Sequence, residues 1–233
     1  MPAHPLDNPF HAALGSIHAG LALRHGEVVR YPAEFAPFLA IPHAGVDIAG
    51  GLEALLAAGD SVLMLGVLPP HVPDGWRQEP FADLAQMQCD RELEVIDGPG
   101  IVQLGEAHRA DVLALTALVY PHYFRPRTMD LGRYFGMYAA DAGGHVRLAA
   151  MIGERLGAEG FREMSAICTH PEFLGRGYAR RLTAFLSNQS LRAGKRPFLH
   201  VAYSNARARA LYERMGYRLR RDIAFCALRR ASG

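Results

Sequence analysis

The chain lacks the residues that would mark a stapled, metal-bound or membrane-embedded protein. Its 233 residues include three cysteines, Cys89, Cys168 and Cys226, and none stands in a CxxC pair. An odd number without such spacing argues against a disulfide framework and suits a reducing compartment. No apolar run approaches the ~18 residues that span a bilayer. The opening MPAHPLDNPFHAALG has neither a basic start nor an apolar core, so no secretory signal is expected. Excess charge is lacking too. The formal net charge of +2 gives no reason to expect a nucleic acid or an anionic membrane as partner. The eleven histidines show no HxxxH-type spacing, and no metal site is expected. These absences lead to a cytoplasmic expectation.

What is present is ordinary for a soluble globular protein: 50% hydrophobic and 21% charged residues. The length suits one large domain or two small ones. In the first half, Gly51 to Gly59 reads as a short helix and Ser61 to Leu68 as an apolar strand ended by two prolines. LPPHVPDGW reads as a loop, Ala82 to Gln88 as a short helix, and Glu92 to Asp97 as a strand. Gly98-Pro99-Gly100 then breaks the chain, which places a boundary between residues 1–97 and 98–233.

The second half is more regular. Strands are expected at 101–104, 133–140, 145–156, 161–170 and 198–203, and one at 217–228. Helices are expected at 108–119, from Gly177 to Gly194, and at 205–215. Residues 121–132 read as a loop or broken helix, and 141–144 as a hairpin turn. Helices packed on a mixed, mostly antiparallel sheet with one parallel crossover give an α/β (α+β) fold.

CTHPEFLGRGYARRL, Cys168 to Leu182, runs from strand through a glycine turn into a helix. A helix start carries unpaired N–H groups and the positive dipole end, so it binds phosphate well. Gly175 and Gly177 would allow close approach, and Arg176, Arg180 and Arg181 add charge nearby. A tight turn that merely starts a helix fits the same residues. No GxxxxGK[ST] loop is present, nor a GxGxxG with a following acidic residue.

With Leu174, Gly175, Arg176, Gly177, Tyr178 and Ala179 in the turn, the segment resembles the [Q/R]xxGx[G/A] element of GNAT acetyltransferases. Leu174 departs from the pattern, standing where the family prefers Gln or Arg. HVAYSNARARALYERMGYRL resembles the family's second cofactor element through Asn205, Ala208, Leu211, Tyr212, Gly216 and Tyr217. EMSAICTHPEFLGRGYARRL is most similar in wording to the branch with the glycine N-acyltransferase C-terminal domain. The resemblance covers Ile101 to Arg229. Residues 1–97 show neither motif, and a degenerate second copy of the fold is one reading of them.

The resemblance implies an acetyl-CoA-dependent N-acetyltransferase acting on a primary amine of a small molecule or peptide. A non-catalytic acyl-CoA-binding sensor is the alternative, a donor chain longer than acetyl stays open, and a homodimer is possible. It implies that the pantetheine arm pairs with the backbone of Ile167 and Thr169, with Cys168 between them. The pyrophosphate would sit on the amides of Gly175 to Ala179, beside Leu174 and Arg176. Asn205 and Ala208 would hold the arm. It assigns Tyr212 to protonate the leaving thiolate, an arrangement open to a phenol and a thiol of nearby pKa; a core aromatic at helical spacing is the plainer alternative. Glu163, six residues before Thr169 and so expected on its face, is the first candidate base. Glu154 and His170 follow, and a water chain alone could serve. His122, Tyr123, Phe124, Arg125 and Arg127 occupy the segment expected to meet the acceptor; the arginines could bind a carboxylate or be surface charges.

Overall fold

The structure, a computed structural model, describes residues 4–57, 59–119 and 123–231. In the first half lie α1 (Pro9–Leu14), β1 (Leu23–His25), β2 (Val28–Arg30), β3 (Leu39–Ala40), α2 (Ala49–Leu55), β4 (Ser61–Leu65), β5 (Trp76–Pro80) and β6 (Leu84–Gln88). Then come β7 (Val102–Leu104), α3 (Arg109–Val119), β8 (Tyr134–Ala140), β9 (Val146–Ala158), β10 (Phe161–Thr169) and α4 (Tyr178–Arg192). The chain finishes with β11 (Arg196–Ala202), α5 (Ala206–Met215), β12 (Arg218–Ile223) and β13 (Phe225–Arg230).

A seven-stranded sheet in the order β12-β6-β11-β10-β9-β8-β7 carries the fold. Its pairs are antiparallel except β10–β11, which is parallel. That exception follows from α4, the crossover helix joining β10 to β11. Two smaller antiparallel sheets, β1-β2-β3 and β4-β13-β5, come largely from the first half.

Strand alternation assigns the two faces of the large sheet. Ala150 and Ile152 of β9, with Leu199 and Val201 of β11, pack with Leu182 and Leu186 of α4 and Tyr212 of α5. On the other face Met151 packs under α3 with Val112 and Leu115, and Phe198 packs with Phe10 and Leu14 of α1. The mixed α/β architecture is the expected one. Among the described residues, no helix is long and apolar enough to cross a membrane.

Three local readings are corrected. Leu84–Gln88, expected as a helix, is strand β6, held between β11 and β12. Its residues suit a helix, but a slot with a strand on each side overrides so short a propensity. Residues 92–97, expected as a strand, pair with no strand. They run as a strap over α4. The Asn188 side chain accepts from the Leu93 N–H at 2.7 Å and donates to the Leu93 carbonyl at 2.9 Å. The single C-terminal strand is two: the chain breaks at Ala224, and β13 leaves the large sheet to pair with β4 and β5. Because β6 lies inside the large sheet, hydrogen bonding crosses the position of the boundary drawn at Gly98. The helix expected over 51–59 spans Ala49–Leu55.

Candidate active site

β10 and β11 start side by side and then part. Their register holds at Phe161–Arg196, Arg162–Pro197 and Glu163–Phe198. From Met164 to Thr169 the edge of β10 facing β11 has no partner strand, while its other edge stays paired to β9. Two features open the gap. β11 remains paired to β6 as far as Ala202. In β10, Ala166 sits at φ +49 inside a register slip, so that Ala166 and Ile167 together oppose Ile152. Such a bulge bends its strand.

The bulge also shifts the alternation by one residue. Met164 and Ile167 both pack toward α4, whereas Ala166 and Cys168 pack toward α3. Glu163 and Thr169 therefore do not share a face as strict alternation predicts; the extra residue puts them out of phase.

A cavity of about 330 Å³ fills the gap. Of the expected site residues, Glu163, Ile167, Cys168, Asn205, Ala208 and Tyr212 line it. Tyr212 is buried, its ring centroid 6.0 Å from that of Tyr217. The Asn205 side-chain oxygen accepts from the Ala208 N–H at 3.2 Å, capping α5, which leaves its amide N–H groups for a ligand. Cys168 is packed in the α3 cluster, and burial pushes its thiol up to about 12, which makes it a poor nucleophile.

Outside the cavity, the glycine turn leads into α4. The His170 imidazole accepts from the Glu172 N–H at 3.3 Å and starts a short turn over Pro171–Phe173. Gly175 and Gly177 then adopt φ +81 and +76, a conformation costly for any other residue. A Cβ at either would meet nothing within 4 Å, so the surface above them is open. Among the described residues no side chain caps α4, which leaves its first N–H groups for an outside acceptor. An open, uncapped helix start of this kind fits the phosphates of a nucleotide cofactor. Arg176 lies over the Phe173 ring at 4.9 Å, Arg180 pairs with Glu94, and Arg181 donates to the Ile96 carbonyl.

Glu163 reaches the cavity but is not poised as a base. Arg155 donates to its two carboxylate oxygens at 3.0 Å each, and the Leu156 N–H adds a bond at 3.2 Å. His200 Nδ1 lies 2.9 Å away. Burial alone would raise this carboxyl, but Arg155 and His200 outweigh it and hold it at about 2. Glu154 binds Arg133 at 2.6 Å away from the cavity, and His170 is spent on its turn.

The sequence did not single out the row of polar side chains to which Glu163 belongs. Arg220 donates to the Gln86 Oε1 at 2.8 Å, which orients the amide. Gln86 Nε2 then donates to the Leu6 carbonyl at 2.8 Å and to His200 Nε2 at 3.0 Å. That leaves His200 Nδ1–H to donate to Glu163. The row crosses β12, β6, β11, β10 and β9, and its far end is Asp7, which accepts from Arg220 at 2.6 Å. Strand parity alone could have placed His200 on this face, but Gln86 lay in a segment read as a helix.

In the segment expected to meet the acceptor, Tyr123 lines the cavity and Phe124 packs edge-on against Tyr134. Arg127 lies 4.1 Å over the Phe35 ring and pairs with Asp130 at 2.9 Å. Neither Arg125 nor Arg127 lines the cavity. His122 falls outside the described residues.

The family model of FR47-like proteins matches residues 142–226. No curated protein sequence matches the chain. A solved structure from Novosphingobium aromaticivorans, described as an acetyltransferase of the GNAT family, is 34% identical. The match covers 99% of this chain and 100% of that one, with a TM-score of 0.88. A GCN5-related N-acetyltransferase from Kribbella flavida shares the fold at 16% identity, over 95% of this chain and 96% of its own, TM-score 0.59. A GNAT-family acetyltransferase from Colwellia psychrerythraea does so at 11% identity, over 95% and 93%, TM-score 0.54. With 34% identity over 99% of its length to the Novosphingobium protein, the chain belongs to the GNAT family of acetyltransferases.

Proposed function

We propose that the protein is an N-acetyltransferase that moves an acetyl group from acetyl-CoA to a primary amine by direct attack. The observation that carries this reading is the parting of β10 from β11 after Glu163, over a cavity lined by Asn205 and Tyr212. Acetyl-CoA, when bound, supplies an activated thioester whose C–S bond breaks as the amine nitrogen takes the acyl carbon. The open edge of β10 around Ile167 and Thr169 would hold the pantetheine arm, as an edge holds an added strand. The amides of Gly175 to Ala179, at the uncapped start of α4, receive the pyrophosphate. Asn205, whose oxygen caps α5, would hold the arm through its amide N–H groups.

The Tyr212 hydroxyl, in the cavity lining, would donate a proton to the leaving thiolate. With Glu163 held at about 2, its carboxylate is too weak a base at neutral pH, and the amine proton leaves through water. Glu163 instead fixes Arg155 and His200 in the cavity wall. Similarity of the turn's wording to the glycine N-acyltransferase branch is proposed for the cofactor side alone, and the acceptor is not inherited from it. The protein is proposed to work in the cytoplasm, without nucleic acid or membrane.

The test is release of free thiol from acetyl-CoA in the presence of an amine panel. Tyr212→Phe is expected to lower kcat about a hundredfold, with acetyl-CoA affinity within threefold of native. A kcat unchanged by Tyr212→Phe would remove Tyr212 from the mechanism. Binding without turnover on any amine would leave an acyl-CoA sensor in place of an enzyme.

A further inference from the structure

Part of the cavity wall is built by the first hundred residues, which carry no family motif. Phe10 of α1, Phe38, Leu63 and Leu65 of β4, and Leu84 of β6 line it, joined by Phe225 of β13. Phe10 and Phe38 are stacked at 4.0 Å with planes 7° apart, and Phe38 is bridged to Leu63, so this wall is rigidly held. Among the described residues, the charged side chains that line the cavity are Arg155, whose guanidinium lies 4.9 Å over the Phe38 ring, and Glu163, and they are paired with each other.

We propose that this wall is the acceptor subsite and that the acceptor is a small apolar primary amine: a hydrophobic body bearing one amino group and no other charge. The proposal rests on the acetyltransferase reading above and names its substrate class. With the pantetheine arm and acetyl group against the β10 edge, Asn205 and Tyr212, the lining left to another occupant is the wall of Phe10, Phe38, Leu63, Leu65, Leu84 and Phe225. A carboxylate, phosphate or second ammonium on that occupant would lose its water and find, among the described lining residues, no charge that is not already paired. An apolar body gains by the same burial. Desolvation also disfavours the ammonium form of the amine, which helps supply the neutral nucleophile. Arg125 and Arg127, which from sequence could be carboxylate binders or surface charges, lie outside the cavity lining, in agreement with this class.

The test compares kcat/KM of the full chain for phenethylamine and hexylamine with that for glycine and spermidine, at saturating acetyl-CoA. Apolar amines are expected to be preferred at least tenfold. Leu84→Ser and Phe225→Ala, both at half-buried wall positions, are expected to raise KM for the preferred amine roughly tenfold. Acetyl-CoA affinity should stay within twofold and Tm near native. Preference for glycine or spermidine, or a preference for octanoyl-CoA over acetyl-CoA with a polar amine, would overturn the acceptor assignment while leaving the acyltransferase reading standing. Failure to bind acetyl-CoA in calorimetry would overturn both.

Discussion

Replacing Glu163 with glutamine is expected to lower the unfolding free energy by about 3–5 kcal/mol, the usual loss when one member of a buried ion pair is removed. The carboxylate is 1% exposed and accepts from Arg155, His200 and the Leu156 N–H. Glutamine keeps the shape but leaves the Arg155 guanidinium, 12% exposed, without its counter-charge. For a chain of this size the loss corresponds to roughly 6–20 °C in Tm. Adding Arg155→Met should recover part of it, because the double replacement removes both charges.

The pH dependence has a definite sign. The folded carboxyl titrates at about 2 against an ordinary 4.5, so its contribution is complete above about 4.5 and is lost as the pH falls toward 2. The difference between native protein and Glu163→Gln should shrink across that window. A loss below 1 kcal/mol at pH 7, or a difference that grows on acidification, would refute the assigned network. The same assignment predicts no Glu163 limb in the pH–rate profile between pH 5 and 8; such a limb would return Glu163 to the role of base.

The second large effect concerns the glycine turn. Gly177→Glu is expected to weaken acetyl-CoA binding about a thousandfold, since a like charge set against a bound anion costs several kcal/mol. Gly177 has φ +76, so any side chain there adds backbone strain. Gly177→Ala carries that strain without the charge and should lose far less. Comparable losses in the two variants would mean that strain, not phosphate binding, explains the glycine. Retained affinity in Gly177→Glu would remove the turn from the cofactor site.

Local chemistry made much of this architecture legible. The second half could be read because α4 and α5 end at glycines and their apolar faces recur at helical spacing; Gly194 and Gly216 sit at positive φ where each helix stops. The glycine turn was legible for a related reason: Gly175 and Gly177 sit at positive φ before α4, and glycine shows in sequence. What stayed hidden depends on long-range pairing. Leu84–Gln88 is a strand because β11 and β12 flank it, which no local pattern records. Leu93 has strand-like neighbours, yet its backbone is taken by Asn188, ninety-five positions away. The phase shift at Ala166 misplaced Glu163 relative to Thr169, because an alanine at positive φ leaves no compositional trace. The apolar wall was invisible for the same reason: Phe10, Phe38, Leu63 and Leu84 come from four separate stretches and meet only in the folded chain.

The central claim is that acetyl-CoA lies in the gap between β10 and β11 with its phosphates on the start of α4. Amide hydrogen exchange with and without acetyl-CoA tests it most directly. The account predicts new protection concentrated in two segments, Met164 to Thr169 on the open edge of β10 and Gly175 to Ala179 at the start of α4. Absence of binding, or protection that leaves both segments unchanged, would contradict it.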